Sequence, residues 1–128
     1  MSTPNNIKIL VAEDDEVYGK VYLNKLTKEG YQVILVKDGK EAVEMTKKEK
    51  PNLILLDIIM PTMDGFEALK IIKSDPETKN IKVLVMSNLG QESDMARAKE
   101  LGAEEYFVKA SISISELIEK LKRYVGGV

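Results

Sequence analysis

The chain has 128 residues, 44% hydrophobic and 31% charged, with a formal net charge of -2. That suits one domain with a real core and argues against a nucleic acid or an acidic membrane as the main partner. It holds no cysteine and no histidine, which excludes disulfides, thiol nucleophiles, Cys- or His-bound metals and Ser-His-Asp triads.

Any chemistry must therefore come from carboxylates, hydroxyls, lysines, backbone groups or a bound ion. No apolar run approaches the roughly 20 residues of a membrane helix. The opening "MSTPNN" lacks the form of a signal peptide. A cytoplasmic protein is expected, with residues 1–6 a disordered tail and residues 126–128 a second loose end.

In chain order, "IKILVA" (7–12) reads as a first strand and runs into Glu13, Asp14 and Asp15. A helix follows from about Glu16 to Glu29 and stops at Gly30. "YQVILV" (31–36) is a second strand. The next helix opens at Asp38 with Glu41 three residues on, as in a capping box, and closes in the solvated run "TKKEK" (46–50). "LILL" (53–56) is a third strand, apolar throughout, and it ends on Asp57. Asp64 and Glu67 open the third helix, which ends before Pro76. "KVLVM" (82–86) leads to Ser87 and Asn88, then a helix runs from about Gln91 to Leu101 and stops at Gly102. The weaker strand "EYFV" (105–108) leads to Lys109. The last helix opens at Ser113 with Glu116, and pairs Glu116 with Lys120 and Glu119 with Arg123.

This is a strand–helix alternation repeated five times. It predicts an α/β fold, (βα)5, with a doubly wound five-stranded parallel sheet covered by helices on both faces. Ligands of such sheets bind beyond the carboxyl ends of the strands. The groups found there are Glu13, Asp14, Asp15, Asp57, Ser87, Asn88 and Lys109. Three clustered carboxylates repel, and a divalent cation resolves the conflict. A carboxylate nucleophile, a metal, a lysine and a hydroxyl together suit acceptance of a phosphoryl group.

Taken singly, each feature has a blander reading. "EDD" is more often a solvated helix start, Ser87 a turn residue, Lys109 a surface lysine. Asp57 alone reads equally as a loop cap. Asp64 is better explained as a helix cap than as a ligand. The coincidence of these groups after strands one, three, four and five outweighs the separate readings.

With these residues in view, the chain resembles a receiver domain of the two-component response regulators, similar to the chemotaxis regulators and standing alone. The likeness spans roughly Ile7 to Tyr124. It is carried by "ILVAEDD", "LILLDIIMPTMDG", "VLVMS" and "GAEEYFVK". The resemblance implies a flavodoxin-like sheet of strand order 2-1-3-4-5, with a receiver domain at 7–125. It implies that Asp57 is the phosphoacceptor. Glu13 and Asp14 form the acidic pocket for Mg²⁺ (or Mn²⁺), with Asp14 favoured as the direct ligand and the backbone carbonyl of Ile59 completing the protein's share. Ser87 is the switch hydroxyl, Tyr106 the switch aromatic, and Lys109 pairs with phosphoryl oxygens. Asp15 starts the first helix.

The implied mechanism is Mg²⁺-dependent transfer from a histidine kinase or phosphotransfer protein, catalysed by the receiver itself, as is the later dephosphorylation. It is a signalling phosphoacceptor and not an enzyme acting on other substrates. Without histidine here, the donor is another chain. Phosphorylation would switch the surface of the fourth helix, fifth strand and fifth helix, read by a downstream target or a second receiver. No direct nucleic-acid contact and no membrane insertion are implied.

Two departures qualify the likeness. Ala110 stands where the family usually has proline, so the bond after Lys109 is expected to be trans. Ile59 and Leu89, both apolar, are expected to flank the phosphoryl site and slow water attack. The alternative is a phosphorylation-independent pseudo-receiver serving as an interaction scaffold. A phosphohydrolase would want a second acid two residues past Asp57, where Ile59 stands, and no P-loop motif occurs.

Overall fold

The structure, a computed structural model, describes residues 6–125. Of the tails expected at 1–6 and 126–128, residues 1–5 and 126–128 lie outside the described residues. Five strands alternate with five helices: β1 (Lys8–Ala12), α1 (Glu16–Lys28), β2 (Gln32–Val36), α2 (Gly39–Glu49), β3 (Leu53–Leu56), α3 (Gly65–Ser74), β4 (Lys82–Ser87), α4 (Glu92–Glu100), β5 (Glu105–Val108) and α5 (Ile114–Lys122). A short 3-10 turn, Lys109–Ser111, links β5 to α5. The strands are parallel in the order β2-β1-β3-β4-β5, the predicted architecture.

Period-two alternation along the central strands divides the core into two layers. Leu10, Ala12, Ile54, Leu56, Val83 and Val85 face one side, where Ala42, Phe66, Leu69, Ile72 and Ala98 cover them from α2, α3 and α4. Ile9, Val11, Leu53, Leu55, Leu84 and Met86 face the other, beneath Tyr22, Leu26, Leu117, Ile118 and Leu121 of α1 and α5. All four residues of β3 are fully buried, which is why that strand reads as an unbroken apolar run. Burying each such side chain contributes roughly 1.5–3 kcal/mol.

The punctuation works largely as its chemistry predicts. Asp15, Asp38, Asp64 and Ser113 each accept a hydrogen bond from the backbone N–H three residues on. Only α5 has the complete reciprocal capping box. At α2 the Glu41 carboxylate instead accepts from the N–H of Lys37, one residue before the cap. Gly30 and Gly102 follow α1 and α4 with positive φ, as helix-ending glycines do.

Two contacts fix the end of β3. Ala12 pairs with Leu56, so β1 and β3 end level, and Asp57 N–H donates to the Ala12 carbonyl at 3.0 Å. On the far side, Gly65 N–H donates to the Ile58 carbonyl at 2.7 Å. A Cβ at Gly65 would lie 2.2 Å from the Asp57 carbonyl oxygen, so only glycine lets the start of α3 press this closely on Asp57 and Ile58.

Candidate functional site

The strand order reverses between β1 and β3, and the pocket opens there, beyond their carboxyl ends, as expected of such sheets. It measures about 210 Å³ and is lined by Glu13, Asp14, Asp15, Tyr18, Asp57, Ile59, Asn88 and Lys109. Its floor is polar and buried: Glu13, Asp57 and Lys109 are 1%, 4% and 8% exposed.

Each floor group is held at more than one point. Asp57 Oδ1 accepts from the N–H of Ile58 at 2.7 Å. Its Oδ2 accepts from Lys109 Nζ at 3.0 Å. Glu13 Oε2 accepts from the N–H of Asp15 at 3.0 Å, while Oε1 makes an ion pair with Lys109 Nζ. Lys109 also lies under an aromatic face, its Nζ 4.6 Å from the centroid of the Tyr18 ring. Asp14 stands exposed at the rim, and among the described residues no hydrogen bond or ion pair engages its carboxylate.

The electrostatics follow from one ammonium facing two buried carboxylates. Burial pushes the Glu13 carboxyl up to about 7, and the nearby Asp57 charge adds to the rise; the hydrogen bond from Lys109 opposes it. Burial works against the Lys109 charge, but Glu13 and Asp57 more than offset it and raise the Lys109 pKa. The salt-bridge geometry alone would suggest a lowered Glu13; burial and the surplus negative charge explain why the shift runs the other way.

Oxygens of Glu13, Asp14 and Asp57 lie within 4.8 Å of one another. A set of hard carboxylate oxygens carrying more negative charge than its lysine offsets is the donor chemistry of a divalent cation such as Mg²⁺. The residues therefore fit the expected metal.

The remaining predicted residues stand outside this floor. Ile59 lines the pocket and is 58% exposed. Ser87 is fully buried beside the pocket, and its Oγ accepts from the N–H of Leu89 at 3.2 Å. Tyr106 is half-buried, and its hydroxyl donates to the Leu89 carbonyl at 2.6 Å. Leu89 itself packs against the core instead of lining the pocket, unlike the flanking position expected for it. The Lys109–Ala110 bond is trans, as alanine predicts. Asp15 caps α1 and Asp64 caps α3. Sequence reasoning missed Tyr18; the available signal was an aromatic in the first turn after the acidic run.

Known proteins share the sequence pattern and the fold. A family model described as the response regulator receiver domain matches residues 9–122. The polar-differentiation response regulator DivK of Brucella anthropi is 32% identical over 118 residues, covering 92% of this chain and 95% of the relative. The receiver domain of the sensor histidine kinase PA1611 from Pseudomonas aeruginosa, solved with a magnesium ion coordinated in its active-site cleft, is 27% identical with a TM-score of 0.85, covering 94% of this chain and 98% of that one. The Mn²⁺-bound form of the response regulator Rcp1 is 28% identical with a TM-score of 0.80, covering 95% and 96%.

Proposed function

The chain belongs to the response regulator receiver domain family, whose members are signalling phosphoacceptors, and on that premise we propose that residues 7–125 take a phosphoryl group onto Asp57 from a histidine kinase or phosphotransfer protein. The observation that carries this reading is the state of Asp57: buried, tied at one oxygen to the Ile58 N–H and at the other to Lys109.

In the transfer, an Asp57 carboxylate oxygen bonds to phosphorus as the phosphorus–nitrogen bond of a donor phosphohistidine breaks. The imidazole leaves with a proton from solvent, and the product is an acyl phosphate. Lys109 keeps its proton and turns its charge to the phosphoryl oxygens. Asp14, Asp57 and the backbone carbonyl of Ile59 would hold Mg²⁺ or Mn²⁺, with the Glu13 carboxylate behind them. The ion, when bound, supplies positive charge against the transferring oxygens. Dephosphorylation is the matching attack of water on phosphorus, releasing phosphate.

The switch reading rests on Leu89, whose N–H meets Ser87 and whose carbonyl meets Tyr106. If the Ser87 hydroxyl turns to the phosphoryl group it leaves Leu89, and Tyr106 loses a fixed partner. Helix α4 is lightly anchored, with Ala98 its one buried residue and no side-chain cap at Gln91. The α4-β5-α5 face is therefore the surface read by a downstream target or a second receiver. A cytoplasmic setting accords with this; no described helix is long and apolar enough to cross a membrane.

Intact mass after incubation with acetyl phosphate and Mg²⁺ tests the reading. One phosphoryl group should appear on the wild type, and none on Asp57→Asn or with chelator. A folded wild type that gains nothing would favour the pseudo-receiver scaffold.

A further inference from the structure

We propose that Tyr18 is a positioning residue for Lys109: its ring face holds the ammonium in place when the two carboxylate partners are called away. The inference deepens the phosphoacceptor reading and rests on it. Lys109 Nζ has three neighbours in the structure: Glu13 Oε1, Asp57 Oδ2 and the Tyr18 ring, 4.6 Å from centroid to nitrogen. An ammonium at that distance from an aromatic face is attracted by the ring quadrupole, most strongly where water is excluded; the Lys109 side chain is only 5% exposed.

The three partners respond differently to the reaction. The Asp57 carboxylate gives up its charge on becoming an acyl phosphate, and negative charge then sits farther out, on the phosphoryl oxygens. The Glu13 charge is shared with any bound cation. The attraction of the ring face needs no carboxylate charge, so it does not depend on what becomes of the other two partners.

The ring is also well fixed. Asp15 Oδ1 accepts from the N–H of Tyr18, anchoring the first turn of α1. The Tyr18 ring stacks on Tyr22, with centroids 5.9 Å apart, and Tyr22 is 5% exposed. The segment from Glu13 to Tyr18 thus brackets Lys109 from two sides, while Asp57, just past β3, supplies the third contact. This matters for a flexible four-carbon lysine stem followed by Ala110 in a 3-10 turn, where no proline ring stiffens the chain.

The test compares wild type, Tyr18→Phe and Tyr18→Leu, with acetyl phosphate and Mg²⁺. Tyr18→Phe keeps the ring face and should phosphorylate within about twofold of wild type, whereas Tyr18→Leu should be slower by roughly 3- to 30-fold. Acylation of Lys109 by an amine-reactive ester, followed by peptide mass in metal-free buffer, reads the same contact without phosphorylation. Lys109 should be labelled faster in Tyr18→Leu and at the wild-type rate in Tyr18→Phe. Thermal melts and Mg²⁺ titration accompany both. Equal phosphorylation and labelling across all three proteins would overturn the inference alone, as would equal losses in Phe and Leu variants that track their melting temperatures. A wild type that accepts no phosphoryl group would overturn the phosphoacceptor reading and this one with it.

Discussion

Lys109 stands between Glu13 and Asp57 in a buried pocket floor, and a single ammonium offsets only one of two negative charges. Burial first, and then the uncompensated charge of Asp57, pushes the Glu13 carboxyl up to about 7 from 4.5. Between those values folding takes up a proton, so this group's contribution to stability falls as pH rises through the window and is constant above it. In metal-free buffer the melting temperature of wild type should fall relative to Glu13→Gln between about pH 5 and pH 7. Parallel curves for the two proteins would mean Glu13 is ionised throughout. Ile59 makes a second prediction at this scale. It is apolar, 58% exposed and lines the pocket, so the expectation that it hinders water attack can be tested there. Ile59→Asn should shorten the phosphorylated lifetime by roughly threefold or more, a barrier change of about 0.7 kcal/mol, measured as loss of the phosphoryl mass after donor removal. An unchanged lifetime removes Ile59 from that role.

At the scale of elements, the segment from Asp57 to Gly65 is a clasp more than a loop. Gly65 lets α3 begin against the backbone of Asp57 and Ile58. Gly39, at the start of α2, lets Met63 approach as closely from the other side. Gly65→Ala should cost roughly 1–3 kcal/mol in chemical denaturation. It should slow phosphorylation further than that loss explains, because the added methyl displaces Asp57. A variant with normal stability and a normal rate would show that the clasp does not set Asp57. The strands and most caps were legible in the sequence for a physical reason: a strand covered on both faces is apolar at every position, and capping chemistry is local. The clasp was not legible, because a glycine needed for tertiary approach looks like any turn glycine. Neither was the displaced bond from Lys37 to Glu41, nor the left-handed Lys50 that ends α2. Tyr18 escaped notice because a lone helical aromatic reads as core until its neighbour across the fold is known.

On the scale of the whole molecule, the two core layers pack the sheet beneath the site on both faces. The acids and Asp57 follow directly on β1 and β3, whose ends are level and whose side chains are buried on both faces. Ser87 and Tyr106 sit on β4 and β5, nearer the edge and beside the lightly anchored α4. Charge arriving at the rigid centre can thus be answered by movement at the looser side. That Glu13, Asp14, Asp57 and Lys109 would meet was legible because a parallel sheet gathers whatever follows its strands. The division of the site residues into a pocket floor and a Leu89-linked pair beside it needed coordinates.

The account turns on which atom takes the phosphoryl group. Borohydride reduces an acyl phosphate to an alcohol, so treating the phosphorylated protein and sequencing its peptides by mass locates the acceptor directly. The account predicts homoserine at position 57 and at no other acid, dependent on Mg²⁺. Reduction at Asp14 or Asp64, or none in a protein carrying added phosphoryl mass, would contradict it.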